Sequence, residues 1–387
     1  MQRAQLDHLI GQVLDFAPET SDIFFVAGKP LQAEVHGVLQ DIPTEPVLGA
    51  LKPFQTEAAA LAMMGSNARL YQDMVARGSC DLSYELLGRA RFRVNVFSQR
   101  GSMSIVLRQL SMEVPSPKKL GLPRIFDEMA HEKFGLILVT GATGSGKSTS
   151  LAALIDSINS SYPVHILTLE DPVEYVHPHK MGTVNQREMG QDFDTFASGL
   201  RAALRQAPKV ILVGEIRDHE TIEIALQAAE TGHLVLGTLH TADTGQTVNR
   251  IIGMFDPSEE YLIRQRLAES LKFVVSQRLP QKRGGGRVAA FEVLRNNLRI
   301  KEVIQNGETA EKKFYNIVEE GDAYGMITFD QYLADLFAEG KVTEETAMIY
   351  ASDKSNIMKR IDRIKTERGE QVTDIDGLEI DSSYGNS

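Results

Sequence analysis

The chain contains a single cysteine, Cys80. One thiol excludes an intrachain disulfide and a zinc site built on cysteine pairs, and such sparing use of cysteine fits a cytoplasmic protein. Long apolar runs are missing as well: none approaches the roughly 18 to 20 residues that a membrane-spanning helix needs. The N-terminal stretch "MQRAQLDHLIGQVLDF" alternates charge with aliphatics at helical spacing, which predicts a helix rather than a signal peptide. No direct membrane insertion is expected, so any membrane contact is peripheral or made through a partner. Basic residues are not in excess, with 41 Lys and Arg against 52 Asp and Glu and a formal net charge of -11. That balance argues against a nucleic-acid partner, since a polyanion is repelled by such a chain without a local basic patch.

What is present is an ordinary soluble composition, 42% hydrophobic and 24% charged, over 387 residues, enough for two or three domains. The most informative stretch is "GATGSGKSTS", residues 141–150, between the apolar run "FGLILVT" and the helical pattern "STSLAALIDSIN". Gly141, Gly146, Lys147 and Ser148 keep the spacing of a phosphate loop, in which glycines let backbone N–H groups converge on phosphate oxygens. Residues Thr143, Gly144, Ser145, Gly146, Lys147, Ser148 and Thr149 are the expected nucleotide-binding set. Lys147 is placed to reach the β and γ oxygens of ATP, and the Ser148 hydroxyl to complete a Mg²⁺ shell.

From 134 to about 295, the strand-like runs "LILVTG", "VHILTLE", "VILVGE" and "LVLGTLH" alternate with helical segments 148–160, 193–206 and 218–231. This predicts a mostly parallel sheet with helices on both faces. Ahead of it, "SDIFFVAGKPLQAEVHGVLQDI" reads as two short β runs, 56–77 as helical, and "RARFRVNVFSQRGSMSIVLRQL" as a hairpin. In that hairpin Phe92, Val94 and Val96 face one side and Arg91, Arg93 and Asn95 the other. "EVPSPKKLGLP" reads as a linker, 298–364 shows helical periodicity only, and the polar, acidic C-terminus predicts disorder.

Strand ends in parallel sheets present ligand-facing residues. Glu215 ends the strand of "KVILVGEIRD" and is the best-placed carboxylate to orient and deprotonate an attacking water. The alternative is a helix cap, a role for which Asp218 is better positioned. "LTLEDPVEY" gathers Glu170, Asp171 and Glu174, either to hold Mg²⁺ through waters and help polarise the attacking water, or as a solvated loop. His240 follows the strand of "GHLVLGTLHTAD" and is either a packed histidine or a sensor of the γ-phosphate.

Taken in order, "GATGSGKST", "ILTLEDPVEY", "VILVGEIRD" and "ETGHLVLGTLHT" resemble the Walker A, Asp box, Walker B and His box of the secretion ATPase superfamily. Within it the chain is similar to the PilT and PilU type IV pilus retraction ATPases. The resemblance implies an α/β fold: a smaller PAS-like α+β domain over 1–112, a linker over 113–123, a RecA-like phosphate-loop domain over 124–297, a helical subdomain over 298–365 and a disordered tail over 366–387. It implies ATP hydrolysis with Mg²⁺ by a homo-hexamer at the cytoplasmic face of an inner-membrane pilus machine, pulling through a platform protein and working beside a paralogous retraction ATPase. It also implies that Arg91, Arg93, Arg100 and Arg108 reach a neighbouring subunit's nucleotide, whereas the residues alone equally permit a surface salt-bridge stripe. "APKVILVGE" departs from the family's acidic residue before that strand, and "LRIKEVIQ" matches its C-terminal signature poorly. An assembly or secretion ATPase, a DNA-transport ATPase, and a nucleotide-binding subunit that assists another motor are the rival readings.

Overall fold

The computed structural model describes residues 1–111 and 113–370. Its strands are β1 (Thr20–Phe25), β2 (Gln32–Val35), β3 (Val38–Asp41), β4 (Ser79–Leu86), β5 (Ala90–Gln99), β6 (Ser102–Leu110), β7 (Gly135–Thr140), β8 (His165–Glu170), β9 (Thr183–Glu188), β10 (Val210–Val213), β11 (Leu234–Leu239), β12 (Leu271–Arg278) and β13 (Ala290–Arg295). The chain forms two compact units, Met1–Ser116 with Ile155–Gly214, and Pro117–Leu154 with Glu215–Ser387, the second described as far as residue 370.

In the first unit, β1 to β6 form an antiparallel sheet in the order β3-β2-β1-β6-β5-β4. Strict alternation dictates which face is buried: Phe92, Val94 and Val96 of β5 are inaccessible to solvent and join Leu6, Ile10 and Val13 of the helix Arg3–Phe16 in one core. The β5–β6 connection is the pair Arg100-Gly101, both with positive φ, and His36-Gly37 joins β2 to β3 in the same way. Two-residue turns of this hand match the twist of the strands they join. Three strands therefore occupy the stretch that reads as two β runs, because His36-Gly37 closes a hairpin. The segment read as one helix over 56–77 is two, Pro53–Met64 and Ala68–Arg77, broken at Gly65 and restarted by the Asn67 side chain accepting from Arg69 N. The same unit holds the parallel run β10-β8-β9, of which β9 was not foreseen.

The second unit contains the run β13-β12-β7-β11, parallel except for the antiparallel edge strand β13. Every residue of β7, β10 and β11 is buried, the continuous apolar pattern of strands covered on both faces. The expected α/β class with mostly parallel strands, an antiparallel N-terminal sheet and C-terminal helices is what the structure has. Those last helices are Leu298–Asn306, Phe314–Glu319, Phe329–Ala338, Glu344–Tyr350 and Lys354–Glu367. The final helix takes in the first two residues of the expected tail, and 371–387 lie outside the described residues. The expected linker contains one short helical turn, Pro117–Leu120. Among the described residues no helix is long and apolar enough to cross a membrane.

Candidate active site

Strand register brings the site together. Thr140 of β7 pairs with Leu239 of β11 on one side and Ser276 of β12 on the other. The loop 141–146 and His240 therefore leave the sheet along one edge, beside Gln277 near the end of β12, at the C-terminal ends of parallel strands where ligand sites form. Ile216 N donates to Thr238 O at 2.9 Å, which brings the Glu215 segment to the same edge.

The loop's shape depends on glycine at two points. Gly141 has φ +141, and a Cβ there would lie 2.3 Å from Gln277 O; Gly146 has φ +90, and a Cβ would meet Gln277 Nε2 at 2.8 Å. Gln277 thus closes one wall of the loop, and its Oε1 accepts from Ser150 Oγ at 2.8 Å. The helix Lys147–Ser161 begins where the loop ends. Lys147 is buried and donates through Nζ to Gly141 O at 2.8 Å and Ala142 O at 3.1 Å, so its charge is folded back into the loop. The Ser145 hydroxyl is buried with no hydrogen-bond partner among the described residues, a polar group that a ligand oxygen would satisfy. Ser148 is exposed on the first helical turn.

Glu215 is mostly buried and accepts from Arg217 at both oxygens, Nε to Oε1 and Nη2 to Oε2, each at 2.6 Å; His240 Nε2 lies 3.3 Å from Oε1. Burial by itself raises the carboxyl's pKa, but the Arg217 hydrogen bond and charge, aided by His240, outweigh it and hold Glu215 below the usual carboxylate range. Asp218 accepts from Thr221 N at 2.8 Å as the cap of the helix His219–Glu230, so capping does not occupy Glu215.

Glu170, in the other unit, behaves oppositely. Burial pushes its pKa above the ordinary value, although Thr168 Oγ1 at 2.6 Å and Gln186 Nε2 at 3.0 Å donate to Oε1 and pull it back. The acidic stretch is thus not a solvated loop at Glu170. Among the described residues no group of three or more His, Cys, Asp or Glu is arranged to hold a metal ion.

A family model described as "Type II/IV secretion system protein" matches residues 21–285. The chain belongs to that family. It is 41% identical over 340 residues to the type IV pilus retraction ATPase PilT of Pseudomonas aeruginosa, covering 87% of this chain and 96% of that one. It is 38% identical over 348 residues to the type IV pilus ATPase PilU of the same organism, covering 90% and 89%. A crystal structure of the pilus retraction motor PilT with bound ADP superposes with a TM-score of 0.81 at 43% identity, covering 90% of this chain and 98% of that one. With its phosphate loop intact, this member of the secretion family is an ATPase that binds nucleotide.

Within this secretion-family chain, the four arginines do not gather at one point. Arg93 and Arg108 are directly opposed on β5 and β6. Arg100 sits in the turn at the far end of the hairpin, and at the usual strand rise it is about 30 Å along β5 from Arg91. Arg91 is engaged within its own unit, donating through Nη2 to Glu188 Oε2 at 2.7 Å. Sequence reasoning did not single out Gln277, Arg217, Gln186 or Glu188. Arg217 was visible as the basic residue two places after Glu215, and Gln277 as a polar residue ending an apolar strand, but only the register shows what they touch.

Proposed function

We propose that this chain powers retraction of a type IV pilus as a Mg²⁺-dependent ATPase motor. The observation that carries the reading is the single sheet edge shared by the phosphate loop, Glu215 and His240, joined to high identity with a retraction ATPase over most of both chains. Thr143 to Thr149 would cradle the phosphates, Lys147 would turn from the loop carbonyls to the β and γ oxygens, and Ser145 would find its missing partner there. Mg²⁺ needs few protein ligands when phosphates and waters complete its octahedron, so Ser148 suffices as its protein donor and a carboxylate cage is not required. The metal would neutralise phosphate charge. Glu215 would orient the attacking water and take its proton, His240 would help hold that carboxylate, and Glu170, whose pKa burial raises, is the second candidate carboxyl.

The working form would be a homo-hexamer at the cytoplasmic base of the inner-membrane pilus machine, acting on a platform protein and beside a paralogous ATPase. Residues 124–297 would be its RecA-like domain, 1–112 its PAS-like domain, and Arg93 and Arg108 the best-placed residues to reach a neighbour's nucleotide. Deleting the gene is the test of direction: pili that accumulate while twitching stops support retraction. Loss of pili would favour an assembly ATPase instead. A purified chain that binds ATP without turnover would leave an assisting subunit.

A further inference from the structure

We propose that Arg217 restrains Glu215: it holds both carboxylate oxygens, and it must let go before Glu215 can take a proton from water. The inference rests on the reading of Glu215 as the base.

The geometry carries it. An ionised carboxylate offers about four lone-pair positions. The guanidinium fork takes one on each oxygen at 2.6 Å, and His240 Nε2 at 3.3 Å crowds a third. A water entering beside Glu215 meets a base whose acceptors are largely committed. The same contact weakens the base chemically, because a carboxyl stabilised in its ionised form is a poorer proton acceptor in the transition state. The groups that act on the Glu215 carboxylate are Arg217 on its own loop and His240 just after β11.

The restraint is also built to release. The Arg217 side chain is 65% exposed while Glu215 is 18% exposed, so the guanidinium has solvent to move into. Its backbone stays put, because Ile216 N is tied to Thr238 O and Asp218 caps the next helix. Only the Arg217 end of the pair lies in solvent, where its charge is screened, so the restraint sets a modest factor in rate rather than an absolute block.

The test is steady-state ATP hydrolysis by the full-length wild type, Arg217→Ala, Arg217→Lys and Glu215→Gln from about pH 5 to 9, with ATP affinity measured on each. Arg217→Ala is expected to raise kcat near pH 8 by about two- to five-fold. It also moves the acid limb of the profile to higher pH, because only His240 is then left to oppose the effect of burial on the Glu215 pKa. Arg217→Lys keeps a charge but cannot grip both oxygens, so it gains rate with a smaller shift of the limb. Unchanged or reduced kcat in Arg217→Ala, with ATP affinity intact and Glu215→Gln inactive, overturns the restraint while leaving the base assignment standing. Near-wild-type turnover in Glu215→Gln overturns the base assignment itself.

Discussion

Arg93 and Arg108 stand opposite each other across β5 and β6, and Arg108 is balanced by Asp22 of β1, which accepts from its Nε at 2.9 Å. Arg93 makes no ion pair among the described residues. Like charges opposed on neighbouring strands are unfavourable, so an anion arriving from elsewhere would relieve this pair. If that anion is a neighbour's nucleotide, an Arg93→Ala/Arg108→Ala chain and a Lys147→Ala chain should each be inactive yet partly restore hydrolysis when co-assembled, with recovery peaking at intermediate ratios. Comparable arginine fingers are worth up to about 10³ to 10⁵ in rate. No recovery in verified mixed rings means that the arginines act within their own subunit or that one dead site stalls the ring. Diluting wild type with Lys147→Ala separates the two, since a stalling ring loses activity faster than the mutant fraction rises.

Lys147→Ala removes the charge that the loop now holds against its own carbonyls. The mutant is expected to lose tight ATP binding or turnover, because water does not replace an ammonium in a closed loop. Hydrolysis near wild type at saturating ATP would remove the phosphate-loop assignment.

Two neighbouring carboxylates should separate cleanly. Glu215→Gln keeps volume, so ATP should still bind while turnover drops by about 10² or more. Asp218→Ala should instead cost about 1 kcal/mol of stability through its lost cap and leave most activity in place. Affinity, rate and thermal midpoint on the same preparations decide it. Joint loss of binding and turnover in Glu215→Gln would make that residue structural and leave Glu170 as the leading candidate.

In the Arg91–Glu188 pair, Glu188 is buried and Arg91 partly so, and Glu188 also accepts from Val173 N and Gln191 Nε2. Glu188→Ala strands a largely buried guanidinium and is expected to destabilise by roughly 3 kcal/mol, with much of that recovered in Arg91→Met/Glu188→Leu. Chemical denaturation measures it. A loss below about 0.5 kcal/mol would show the pair to be unimportant for folding and return Arg91 to the candidates for action between subunits.

Local physics made much of this chain legible. A phosphate loop is written in consecutive residues because its glycines serve its own backbone, as Gly141 and Gly146 do against Gln277. The continuous, mostly apolar runs of β7, β10 and β11 announce a sheet covered on both faces, and the alternation of β5 announces one covered on a single face. Asp218 was recognisable as a cap because capping spans three residues. Short, irregular features were harder: β9, with little apolar content, pairs only because β8 lies beside it.

Tertiary structure decided what depends on partners distant in sequence. Arginines that look equivalent along a hairpin are not: burial beside Glu188 commits Arg91, strand register opposes Arg93 to Arg108, and a turn carries Arg100 to the far end. Glu170 ends β8 and Glu215 follows β10 by two residues, yet burial raises one pKa while a guanidinium lowers the other. The sequence determined which chemical groups the chain has and the periodicity with which they recur. Which charges meet, and at what solvent exposure, was decided only by folding, because Coulomb and desolvation energies depend on distance and surroundings that no linear spacing encodes.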